Sequence, residues 1–301
     1  LDTDSGHKIP LYLWQTSDEP LAVIQVFHGL GEHIARYERF AAAANARGFA
    51  VCGHNHRGHG PASQPAGFFA PRDGWRLLVD DGHRVTDFLR RRFAGKPVVL
   101  LGHSMGSYIA QSYAMRFGDD LAALVLSGST WPSRGLLFAG RILALIEKWR
   151  LGMHGSSPLL DKIGFGDFNK RFEPARTELD WLSRDADEVD KYIADPLCGG
   201  PYTTGLWRDL LGGLGEVGNT KALGRVPAGL PVLITGGADD PVGGAKGMLE
   251  LADAYQRSGH QKVDKAIFAD GRHEMLNETN REEFTKDLLD WVERQLSGYQ
   301  A

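Results

Sequence analysis

The sequence predicts a doubly wound, mostly parallel α/β sheet, interrupted once by a helical insertion. Three observations predict it. Continuous apolar runs of strand length, such as Leu21 to Phe27 and Val98 to Leu101, are the pattern of strands buried on both faces of a parallel sheet. Stretches of helical periodicity separate them, as parallel crossovers require. The alternation stops after Ser127 and resumes at Pro231 to Thr235.

Each element has its own reason. Residues 1 to 16 alternate loosely around Ile9, Leu11, Leu13 and Trp14, which predicts edge strands or a hairpin. Ile34 to Arg47 is alanine-rich and helical, and Gly48 caps it. Phe49 to Gly53 is the next strand, followed by the loop His54 to Gly60. Gly74 to Phe93 reads as a helix whose last turn, Arg90 to Arg92, suits its negative end. Leu121 to Leu126 is a further buried strand. The last strand is Lys262 to Phe268 and the last helix Asn280 to Leu296. These patterns divide the chain into a core, residues 1–130 and 226–301, and a helical cap, residues 131–225.

The pentapeptide Gly102-His103-Ser104-Met105-Gly106 lies between an apolar run and a helical stretch. Strand, Gly-x-Ser-x-Gly, helix is the nucleophile elbow of the α/β-hydrolase fold. The serine sits on a tight turn, so the positions two before and two after it must be small. Serine alone is a poor nucleophile and needs a base, which needs an orienting acid. In this fold the chain order is Ser, acid, His, each on a loop after a strand. His273 follows the last strand and is the expected base. His154 falls in the insertion, and His260 precedes the last strand, at the wrong end of the sheet. The loop after Pro231 to Thr235 offers Asp239 and Asp240, which spacing alone does not separate. The expected oxyanion donors are the backbone N–H groups of Met105 and of Leu30, in the glycine loop His28-Gly-Leu-Gly31.

The chain has 301 residues, 42% of them hydrophobic, enough for a large core in one or two domains. The net charge is −4 and no basic tract stands out, which argues against a nucleic-acid partner. No 18-residue apolar run predicts a membrane span, and no charged-then-apolar leader opens the sequence. The expected location is cytoplasmic, with any membrane contact peripheral. Cys52 and Cys198 lie far apart, and Cys52 reads as a buried thiol. No metal or other cofactor is expected. His54, His56 and His59 sit on a glycine loop without accompanying carboxylates, so a loop-building role is favoured. His28, His103 and Glu274 flank the expected catalytic groups and read as structural hydrogen-bonding residues.

The motifs together resemble one family. His28-Gly-Leu-Gly-Glu-His33 resembles the oxyanion loop of monoacylglycerol lipases and bacterial lysophospholipases. His56-Arg-Gly-His-Gly60, the elbow, Asp240-Pro-Val242, Arg272-His-Glu274 and Asp195-Pro-Leu-Cys198 are similar to that family as well. The resemblance runs over nearly the whole chain. It implies that the acid is the aspartate directly before Pro-Val, Asp240. It also implies a serine hydrolase of monoacylglycerols or related single-chain lipid esters, acting through an acyl-enzyme on Ser104 without cofactor or metal. The competing expectations are a carboxylesterase for short soluble esters, a peptidase of the same superfamily and a non-catalytic receptor. The family carries Asp where this chain has Asn55, which puts one loop hydrogen bond in question.

The segment Gly135 to Leu151 is rich in Leu, Phe, Ile and Trp, and Arg134, Arg141 and Lys148 recur on one helical face. It admits two readings. Either the helix rests on a lipid surface, or it packs on the core with a solvated charged face. The second is the default.

Overall fold

The computed structural model describes residues 1–3, 6–16, 18–63 and 65–297. Strands β1 (Leu11–Trp14), β2 (Ala22–Phe27) and β3 (Phe49–His54) open the chain, with helix α1 (Glu38–Ala46) between β2 and β3. Next come α2 (Gly74–Arg92), β4 (Val98–His103), α3 (Met105–Phe117) and β5 (Ala123–Ser127). The helices α4 (Arg134–Leu151), α5 (Pro158–Phe165), α6 (Ala186–Ala194), α7 (Thr204–Val217) and α8 (Thr220–Leu223) precede β6 (Val232–Gly237). Helix α9 (Gly244–Arg257), β7 (Val263–Phe268) and α10 (Arg281–Leu296) complete it. The sheet order is β1-β3-β2-β4-β5-β6-β7. Every neighbouring pair is parallel except β1 with β3. The N-terminal segment supplies one edge strand, preceded by a bridge between Asp2 and Lys8.

Strands β2 to β6 are buried throughout, and their side chains divide by a period of two. Leu100, Leu124 and Ile234 pack with α2, α3 and α9 through Leu78, Ile109 and Leu251. Leu101, Val125 and Leu233 point the other way, toward Phe40 of α1 and Phe284 and Leu288 of α10. The sheet is thus sealed on both faces, which leaves its strand-end loops free to carry a site.

The elements between β5 and β6 attach unevenly. One rim is bound to the core by ion pairs: Arg184 with Glu278, Arg281 with Asp185, Arg39 with Glu188 and Arg171 with Asp239. Helix α4 packs chiefly against α7. Its apolar residues Leu136, Phe138, Ile142, Leu145, Ile146 and Trp149 are exposed, Leu136 by 77% and Trp149 by 89%. Helix α4 thus packs on the core along the side that carries Leu143 and Ala144, as the default sequence reading expects, and turns a second apolar face outward.

The histidine loop after β3 is buried behind the strand ends. Ring centroids lie 4.3 Å apart for His28 and His56, and 4.9 Å for His54 and His56. The His56 N–H donates to His28 Nε2 at 3.0 Å, which leaves the ring proton on Nδ1, 2.8 Å from the Gly29 carbonyl. The Gly31 N–H donates to His59 Nε2 at 3.3 Å. These rings hold the glycine loop. Asn55 makes a loop hydrogen bond of its own, its Oδ1 accepting from the Ile34 N–H at 2.9 Å.

Burial lowers the pKa of all four rings, that of His54 to about 3 and of His59 to about 4. As pH falls below about 6.5 the unfolded chain takes up protons on these histidines that the folded chain does not. Stability is therefore expected to fall steadily from pH 6.5 to about 4. Denaturant midpoints across that range measure it, and His54→Phe is expected to flatten the slope by one proton.

Candidate active site

Ser104 stands at the junction of β4 and α3 with φ 52° and ψ −122°, a backbone region that non-glycine residues rarely enter. Close packing enforces it. A Cβ on Gly106 would stand 2.1 Å from the Phe27 carbonyl oxygen, and one on Gly102 would stand 2.5 Å from that of Gly106. The Ser104 N–H donates to the Ser127 carbonyl at 2.9 Å, which ties the turn to β5.

His273 lies on the loop after β7, buried, with its ring 5.1 Å from that of Trp181. Its Nδ1 donates to Asp240 Oδ2 at 2.9 Å. Burial depresses this ring, but the carboxylates around it, Asp240 first and then Glu274 and Glu32, together turn the net shift upward. The second Asp240 oxygen accepts from the Val242 N–H at 2.9 Å. Asp239 instead points outward and pairs with Arg171. Ser104 and His273 line the same cavity. Among the described residues no hydrogen bond joins them, and in ligand-free enzymes such bonds often tighten only with substrate.

The glycine loop passes directly over Ser104. A Cβ on Gly29 would lie 3.2 Å from Ser104 Cβ. The Gly29 N–H is taken by Glu32 Oε1 at 2.5 Å and the Gly31 N–H by His59. The Leu30 N–H between them has no acceptor among the described residues. Met105 is the first residue of α3, where backbone N–H groups lack helical partners.

Sequence reasoning missed the group that joins these loops. Arg36 donates through Nη1 and Nη2 to both oxygens of Glu274, each at 2.7 Å, and through Nη1 to Glu32 Oε2 at 2.8 Å. The Tyr37 hydroxyl donates to Glu32 Oε1 at 2.9 Å. Arg36 therefore couples the residue beside His273 to the residue that holds the Gly29 amide. The four-residue spacing of Glu32 and Arg36 was a visible signal. The partner 238 residues away was not.

The cavity over Ser104 has a volume of about 720 Å³ and a mostly apolar wall, with Leu137, Leu143, Phe165 and Leu210 among its residues. Its charged residues apart from histidine are Glu32 and Glu274, both engaged by Arg36.

A family model described as "Serine aminopeptidase, S33" matches residues 18–280. The chain belongs to that family, and its fold is the α/β-hydrolase fold. It is 26% identical over 293 residues to the monoacylglycerol lipase of Mycolicibacterium smegmatis, covering 95% of this chain and 93% of that one. Over 262 residues it is 28% identical to the human monoglyceride lipase, covering 81% and 75%. A thermostable carboxyl esterase from Bacillus coagulans shares the fold with a TM-score of 0.91 at 24% identity, covering 98% and 97%.

Replacing Arg36 strands two buried carboxylates. Arg36→Met is expected to destabilise the protein by about 3–5 kcal/mol. The double variant Arg36→Met with Glu274→Gln is expected to recover part of that loss, measured by chemical denaturation.

Proposed function

We propose that this protein is a serine ester hydrolase that cleaves monoacylglycerols and related neutral single-chain lipid esters. The observation that carries the reading is the large apolar cavity whose wall holds both Ser104 and His273. Its volume lies within the roughly 300–1,000 Å³ typical of sites that engulf a whole organic ligand. The two similar lipases act, by name, on glycerides of one acyl chain.

In this reading Ser104 attacks the ester carbonyl and His273 takes the serine proton. Asp240 holds the ring in the working tautomer and stabilises the imidazolium. The Leu30 and Met105 N–H groups receive the oxyanion, each worth about 3 kcal/mol to the transition state. The imidazolium protonates the departing glycerol oxygen. Water, deprotonated by His273, then releases the fatty acid. Residues 1–130 and 226–301 form the catalytic core and 131–225 the cap. The cavity wall favours an uncharged head group, because its carboxylates are committed to Arg36 and among the described residues it presents no Lys or Arg to a phosphate. For the same reason it offers no free carboxylate to a peptide's α-amine.

The exposed ridge of α4 extends the proposal to where the enzyme works. No helix among the described residues is long and apolar enough to cross a membrane. Leu136 on α4 and Ile163 on α5 are exposed and also line the cavity, so the apolar surface is continuous with the acyl site. Arg134, Arg141 and Lys148 flank it, a composition suited to an anionic lipid surface.

Hydrolysis of monoolein is expected to exceed that of a short-chain nitrophenyl ester and of an anionic lysophospholipid. Ser104→Ala is expected to abolish fluorophosphonate labelling and lower kcat on the order of 10⁶-fold. Labelling absent from the wild type, with a lipid still bound, overturns hydrolysis in favour of a receptor. In flotation, binding to anionic vesicles is expected to drop when Phe138 and Trp149 become Ser, and when the three cations become Gln. Unchanged flotation overturns surface docking.

A further inference from the structure

We propose that His33, Asp195 and Cys198 form an inhibitory binding site for a thiophilic divalent cation such as Zn²⁺. The ligand atoms of the three side chains lie within 4.8 Å of one another. They comprise imidazole nitrogen, carboxylate oxygen and sulfur, the set that borderline-soft ions prefer over Mg²⁺ or Ca²⁺.

The backbone brings them together independently of any ion. Asp195 to Cys198 is one turn, closed by the Cys198 N–H donating to the Asp195 carbonyl at 3.0 Å. That turn aims carboxylate and thiol to the same side. Asp195 Oδ1 is occupied by the Leu197 N–H at 2.8 Å, which leaves Oδ2 facing His33 Nε2, also at 2.8 Å. The His33 side chain is nearly buried, whereas Asp195 is partly open, so an ion has an entry path from solvent.

The charges suit a divalent ion. Thiolate and carboxylate together neutralise it. The nearby Arg36 guanidinium is already matched by Glu32 and Glu274. On binding, the Cys198 S–H bond breaks and a sulfur–metal bond forms, releasing one proton to solvent. The His33 ring proton shifts to Nδ1 and frees Nε2 to ligate. No oxidant or reductant is involved.

The position gives the site its effect. His33 directly follows the loop that carries the Leu30 amide. The turn with Asp195 and Cys198 belongs to the insertion and already grips that loop, the Gly199 N–H and the Tyr192 hydroxyl both donating to the Gly31 carbonyl, at 2.8 and 2.6 Å. An ion shared by His33 and the turn tightens the cap onto this loop and draws the Leu30 amide from its place beside Ser104. This half rests on the ester-hydrolase reading, while ion binding does not.

The test uses the full chain, stripped with a chelator and titrated with Co²⁺ and Zn²⁺. One Co²⁺ per chain is expected, with a thiolate-to-cobalt charge-transfer band in the near ultraviolet that Zn²⁺ abolishes by displacement. Cys198→Ser is expected to remove the band and weaken Zn²⁺ at least as much as the roughly 10–100-fold that outer-shell partners are worth. Circular dichroism and thermal melting confirm that the variant is folded. Turnover of a soluble ester is expected to fall with the same Zn²⁺ midpoint. No binding, or a band and affinity unchanged in Cys198→Ser, overturns the site. Binding with turnover unaffected overturns the inhibition. Metal-free protein without turnover overturns the hydrolase reading alone, because the spectrum still decides the site.

Discussion

The guanidinium of Arg36 is the fixed point of the site. The glycine loop and Ser104 leave the neighbouring strands β2 and β4, paired as far as Phe27 and Gly102, whereas His273 follows β7 at the far edge of the sheet. Arg36 spans the gap with three charge-assisted bonds, two to Glu274 and one to Glu32. Burial would raise the Glu274 carboxyl, and the guanidinium reverses that and holds it ionised. The pairing is worth more as geometry than as stability, since desolvating the ions cancels much of their attraction.

Around that point a closely packed floor meets a roof with much exposed apolar surface. The elbow is held by contacts with backbone atoms that have no freedom to move, at Gly102 and Gly106. His28 and His59 support the glycine loop from below through bonds that need neutral rings, and burial keeps them neutral. The insertion is different. Ion pairs secure its Arg171 to Glu188 rim, whereas α4 keeps much of its apolar surface unsatisfied. The proposed oxyanion donors therefore sit beside the tightly packed elbow, and much of the apolar cavity wall belongs to the insertion.

Much of the core was legible because its signals are local. Strands buried on both faces announce themselves as continuous apolar runs, and the elbow as a spacing imposed by sterics. The neighbouring aspartates were not separable by spacing. Asp240 meets His273 and Asp239 meets Arg171 because consecutive residues of a turn point apart, and only a family pattern or coordinates can assign them. The Arg36 clamp was invisible for a different reason: its partner Glu274 lies near the other end of the chain. The apolar character of α4 was legible, but not what its outward face meets. A periodic apolar stripe says that a face is to be covered, but not whether protein or something else covers it.

The surface docking proposed above would give that outward face an orienting role at an oil–water boundary. Trp149 and Phe138 would enter first, and the cavity mouth beside Leu136 would turn toward the oil. A catalyst seated in this way would find its next ester by lateral diffusion within a film rather than by collision in bulk. Its pace would then follow the mole fraction of ester in that film, and dilution with inert lipid would slow it even with the total amount of substrate unchanged.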